Sequence, residues 1–138
     1  MGRRLAREIA LKILYRYEEG NTDVVGILHA VLDHKNYSNG EKKFSRELVE
    51  KTINNLSTID TAIIGVLKNW PYDRIAVIDK TILRIGVCEI LYCSDIPAQV
   101  SINEAIEISK KYSSGDSGKF VNGILDAIKK TYESSNHK

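Results

Sequence analysis

From Thr81 to Cys93 the sequence reads TILRIGVCEILYC, and only Arg84 and Glu89 in that run carry charge. Apolar side chains fall at almost every phase of a 3.6-residue period rather than along one stripe. A helix apolar on all sides is stable in water only when other elements surround it. The run is shorter than the roughly 20 apolar residues needed to cross a bilayer. It is therefore expected to be the central rod of a packed molecule, and the rest of the chain must supply its coat.

The remaining segments read as that coat. Helical spacing dominates, and period-two alternation bounded by hairpin turns is absent. A first helix, about Arg3 to Glu18, is expected to bury Leu5, Ile9, Ile13 and Tyr17 and to stop at Gly20 and Asn21. A second carries Val24, Ile27, Leu28, Val31 and Leu32; a third carries Phe44, Leu48, Thr52, Ile53 and Leu56. The fourth holds Ile59, Ala62, Ile63, Val66, Leu67 and Trp70, with Pro71 expected to end it, since proline disfavours helical geometry in the preceding residue. After the rod, SINE (Ser101 to Glu104) resembles a capping box opening a sixth helix packed through Ile102, Ala105, Ile106 and Ser109. A seventh, from near Asp116, buries Val121, Ile124, Leu125 and Ile128. The expected fold class is all-α, a compact orthogonal bundle of about seven helices. With 138 residues and neither repeat nor linker, residues 1–138 are expected to form one domain.

Composition narrows the function. MGRRLAREIALKILYRYEEG lacks the uncharged core and cleavage site of a signal peptide, so a cytoplasmic protein without a membrane anchor is expected. Cys88 and Cys93, five apart, are expected on different helix faces as small buried hydrophobes. His29, His34 and His137 form no metal-ligand spacing, no serine sits in a nucleophile elbow, and the carboxylates are scattered. No enzyme, cofactor or metal is expected. Arg84 and Glu89 are expected to be a structural polar pair, or caps to neighbouring backbone, rather than a site.

Charge is distributed unevenly. The first sixteen residues carry Arg3, Arg4, Arg7, Lys12 and Arg16 against Glu8 alone, in a chain whose net charge is only +2. A basic arm on a mildly acidic body suits a polyanionic partner; a solvated helix face is the plainer reading. Arg4, Arg7, Leu11 and Tyr15 follow helical spacing on a second stripe, with arginines suited to phosphate and Leu11 and Tyr15 to a protein contact.

GDSGKFVNG (Gly115 to Gly123) joins the last two predicted helices. GDSGK lacks the spacing and preceding strand of a P-loop, and its GDSG tetrad lacks the sheet that accompanies a KH clamp. A helix start offers unpaired N–H donors to phosphate. Asp116 is the expected N-cap, Ser117 and Gly118 keep the first turn small, Lys119 adds charge, and Phe120 could stack on an unpaired base. The alternative is a well-capped helix with Phe120 tucked into the core.

RRLAREIALKILY, DKTILRIGVCEILY and IPAQVSINEAIEISKKYSSGDSGKFVNGILDAI together resemble the NusB family of bacterial transcription antitermination factors. The resemblance spans essentially the whole chain. It implies two small helical bundles sharing a long central helix. It also implies pairing with the ribosomal protein NusE, binding of single-stranded boxA RNA, and service to the RNA polymerase elongation complex, chiefly in ribosomal RNA operons. By the resemblance, Arg3, Arg4 and Arg7 match the RNA-binding arm, and Asp116, Ser117, Lys119 and Phe120 match an RNA-facing helix start. Tyr15 and Asp79 match positions facing NusE. Two alternatives remain open: a structural homodimerisation module, and the helical domain of an RNA methyltransferase. The chain is expected to be the free-standing factor, because it ends before a methyltransferase domain could begin.

Overall fold

The computed structural model describes residues 2–20, 23–33, 37–68 and 71–136, the side chains of 134–136 excepted. The predicted end residue Asn21 and the predicted helix residue Trp70 lie outside them, as do His34 and His137. The helices are α1 (Gly2–Glu18), α2 (Val24–Leu32), α3 (Asn39–Asn54), α4 (Leu56–Val66), α5 (Val77–Tyr92), α6 (Ala98–Tyr112) and α7 (Ser117–Asn136), with a 3-10 turn at Tyr72–Arg74. Strands are absent among the described residues, and the fold is all-α.

The rod is α5. Every residue from Thr81 to Ile90 is buried, and the helix is packed by α1, α3, α4, α6 and α7. Two groups of helices share it: α1 to α3 on one side, and α4, α6 and α7 on the other. Gly86 lets α7 come close, since a Cβ there would stand 2.7 Å from Leu125 Cδ1. Leu125 is fully buried and has little room to yield. Gly86→Ala should therefore lose about 1 kcal/mol net, overpacking outweighing alanine's better helix propensity. A raised melting temperature in that variant would contradict this packing.

Local chemistry sets the helix ends, not always where the sequence suggests. Gly20, at φ +108°, takes the left-handed geometry that stops α1. A capping box does form, but at Ser38 and Glu41 of SNGE, opening α3. The SINE box does not form. Pro97 accepts backbone bonds from Val100 and Ser101, starting α6 at Ala98 and carrying Ser101 a full turn inside. α4 ends at Val66, well before Pro71, so the proline is not its terminator.

The buried face of α1 differs from the expectation. Leu5 is exposed, while Ala6, Ile9, Ala10, Leu11, Ile13 and Leu14 are buried. Small Ala6 and Ala10 let neighbouring helices approach, and Ser45 on α3 donates to the Ala6 carbonyl at 2.8 Å. Three helices pack on α1 (α2, α3 and α5), so its buried face is wider than a single stripe. Arg84 and Glu89 are not paired with each other. Arg84 bonds Asp60 at 2.9 and 3.0 Å and Glu18 at 2.8 Å, which ties α5 to α4 and α1.

Cys88 and Cys93 are buried and free, but they are not on separate faces. Cys93 has left helical geometry at the C-cap (φ −121°, ψ 71°). The neighbouring Cys93 thiol, together with burial, pushes the Cys88 thiol up. No helix among the described residues is long and apolar enough to cross a membrane.

Candidate nucleic-acid interface

The predicted arginine arm divides in two. Arg7 is only 4% exposed. Its Nε and Nη2 donate to the two carboxylate oxygens of Glu89 at 2.7 Å each, and Ser101 Oγ donates to Glu89 Oε1 at 2.8 Å. The expected stripe of Arg4, Arg7, Leu11 and Tyr15 is therefore not a surface: Arg7 and Leu11 are inside it. A buried guanidinium needs a bidentate carboxylate, because an unpaired charge there would cost several kcal/mol.

Arg3 and Arg4 reach solvent, each with about half its side chain exposed. Arg4 Nε and Nη2 each donate to Glu104 at 2.8 Å, which raises the Arg4 guanidinium further above its ordinary range. The same bonds hold the Glu104 carboxyl below its usual range, against a partial burial that pushes it up. Arg3 stacks over the Phe44 ring at 4.5 Å from its centroid and lies 3.6 Å from Asp95. Arg3, Arg4, Asp95 and Glu104 line a depression at the start of α6 with Ile96, Pro97 and Val100.

At the start of α7 the sequence expectation holds in part. Lys119 is exposed and Phe120 half-buried, packed against the core edge. Asp116 is exposed, and its carbonyl receives the Phe120 N–H at 3.5 Å. Its carboxylate makes no capping bond among the described residues, so the expected side-chain N-cap is absent. Ser117 is buried rather than open to a ligand; its hydroxyl lies 3.3 Å from Asp79 and 2.7 Å from Ser113. Asp79 also accepts from Ser113 at 2.6 Å, so it fastens the first turn of α5 to the α6–α7 junction. Gly118 faces α6, where a Cβ would meet Ile106 and Ser109 at ordinary van der Waals distance. A Cβ would fit there, so packing does not require this glycine.

Phe120 and Lys119 form one bank of a groove of about 740 Å³ that also takes in Asp116 and Asp79. Apolar Val66, Ile75 and Ile124 and the cations Lys68 and Arg74 also line it. Lys68 and Arg74 make no ion pair among the described residues. The sequence gives no sign of them: Lys68 is expected inside a helix running to Trp70, but α4 ends at Val66, and Arg74 lies in the 3-10 turn after it.

Side-chain bonds fix how the two clusters relate. Arg4 meets Glu104, and four residues on Glu8 receives bonds from Lys111 at 2.8 Å and Tyr112 at 2.6 Å. Long side chains thus tie α1 to α6, and the two helices run in the same direction. The arginines lie by the first half of α6 and the groove lies beyond its C-terminal end. Nine residues of helix, about 14 Å of rise, separate Glu104 from the junction at Ser113. The two clusters line separate depressions with no lining residue in common. Tyr15, 37% exposed, stands near the end of α1, whose Glu18 is bonded to Lys80 of α5 at 3.3 Å.

A model of the NusB family matches residues 4–130. A transcription antitermination protein NusB from Geobacter sulfurreducens is 43% identical, over 94% of this chain and 94% of its own. One from Chloroherpeton thalassium is 42% identical over 92% of this chain, which spans 61% of that protein's length. A solved structure of antitermination factors NusB and NusE in complex with double-stranded RNA matches at TM-score 0.86 and 29% identity, over 95% of this chain and 98% of that one.

Proposed function

The chain belongs to the NusB family, and from that premise we propose that it is a transcription antitermination factor that pairs with NusE and binds single-stranded boxA RNA. The nascent transcripts of ribosomal RNA operons are the chief target, and the RNA polymerase elongation complex is the assembly it serves. NusE and RNA are the partners of the solved relative. The protein acts by binding rather than catalysis, as one cytoplasmic domain of residues 1–138.

The observation that carries this reading is the paired arrangement of exposed groups along α6. Arg3 and Arg4 take phosphates at one end. Lys119 takes phosphate and Phe120 takes an unpaired base at the other, beside Asp116 and Ser117. Arg7 acts from beneath, through the fold, rather than on RNA. Tyr15 and Asp79 face NusE, with Asp79 also holding the junction in shape. Labelled boxA RNA titrated with the protein alone, with NusE, and against a scrambled strand tests the proposal. Tight binding of boxA with NusE and weak binding of the scrambled strand is the expected result; equal binding of both strands would refute it.

Asp116 gives a sharper test. Its exposed carboxylate stands in the groove beside Lys119 and Phe120 and should repel phosphate. Asp116→Asn is expected to tighten RNA binding by about 0.5–1 kcal/mol at low salt, less as screening grows, with the melting temperature unchanged. Weaker binding by the asparagine variant would mean that the carboxylate accepts a bond from RNA.

A further inference from the structure

Arg4 is not waiting empty-handed for a ligand. Two nitrogens of its guanidinium already grip a carboxylate, at 2.8 Å each, in the fork geometry arginine uses on phosphate. Arg3 is likewise near Asp95, at 3.6 Å. We propose that Glu104 is an internal stand-in for RNA phosphate, a carboxylate that the strand must displace from Arg4 and that thereby sets RNA affinity. This rests on the reading of Arg3 and Arg4 as RNA contacts.

Three features make the exchange workable. Arg4 is exposed on its outer side, with 53% of its side chain accessible, whereas Glu104 is only 18% accessible. A phosphate can therefore approach the arginine without passing the glutamate. Glu104 is also not stranded when Arg4 leaves it, because Arg7 Nη1 lies 3.7 Å from Glu104 Oε1. Arg7, fixed by Glu89, supplies a permanent cation to which Glu104 falls back. Finally, the pair opens to solvent on its arginine side, so breaking it is a modest cost rather than a prohibitive one. The device holds the arm in a binding-ready geometry while neutralising it against polyanions that make too few other contacts.

The test uses the full chain with NusE and labelled boxA RNA. Glu104→Gln should tighten binding about two- to five-fold at low salt, the range of an exposed ion pair. It should also steepen the slope of log affinity against log salt by up to about 0.7, the value of one added phosphate contact on a single strand. Arg4→Ala should weaken binding more in the Glu104→Gln background than in the wild type, since no displacement then offsets the missing arginine. Asp95→Asn, at a position 71% exposed, should shift affinity in the same direction by less and leaves the core untouched should Glu104→Gln disturb folding. Unchanged or weaker binding in Glu104→Gln, or in Asp95→Asn if only that variant folds, overturns the proposal while a loss from Arg4→Ala alone leaves the RNA contact standing. If Arg4→Ala has no effect in either background, it is the RNA-contact reading itself that fails.

Discussion

Glu89→Ala is expected to destabilise the fold by roughly 3–5 kcal/mol, because it strands the Arg7 guanidinium inside the protein. Arg7 is 4% exposed and Glu89 1%, and the carboxylate also takes the Ser101 hydroxyl. One substitution thus unpairs a buried charge and a buried hydroxyl where α1, α5 and α6 meet. Arg7→Ala should cause a loss of the same order by stranding the carboxylate instead. Urea unfolding of both variants measures this. A loss below about 1 kcal/mol in each would show that Arg7 is held only loosely and is available to a ligand after all.

Phe120→Ala is expected to lower RNA affinity by about 1–3 kcal/mol, the cost of removing one stacked base. Its stability loss should fall short of the roughly 3–5 kcal/mol of a fully buried phenylalanine, since Phe120 is only half-buried on the groove's bank. Thermal melting and RNA titration of the same sample separate the two effects. Intact affinity with a full core-type loss of stability would make Phe120 a packing residue and remove the aromatic platform from the site.

The sequence made the rod legible because a charge-poor run with no polar face has only one stable setting. It made α7 legible for the opposite reason: Val121, Ile124, Leu125 and Ile128 mark a single face, and those residues are buried. The arginine arm was legible as composition but not as geometry. Nothing local distinguishes Arg7 from Arg3 or Arg4, and the carboxylates that sort them lie at Glu89 and Glu104, 82 and 100 residues away. The same range explains the misread face of α1, where Ala6 and Ala10 are buried for closeness rather than hydrophobic bulk. SINE failed as a capping box because Pro97 starts the helix earlier, whereas SNGE succeeded. Two identical patterns were separated by a proline four residues upstream. At the groove, Lys119 and Phe120 were legible by type, but Lys68 falls inside a helix expected to reach Trp70, whereas α4 ends at Val66 and leaves Lys68 to line the groove with Arg74.

If one RNA strand engages both ends of α6, as proposed, the salt dependence of its affinity must report cations at each end. Binding of boxA RNA in the presence of NusE should be measured from low to moderate salt for the wild type, an Arg3→Ala/Arg4→Ala double variant, Lys119→Ala, and all three substitutions combined. Removing each phosphate-binding cation should flatten the slope by about 0.7, so the combined variant should show the sum of the reductions at the two ends. An unchanged slope on removing either end would contradict the claim, because that end would then lie off the path of the RNA.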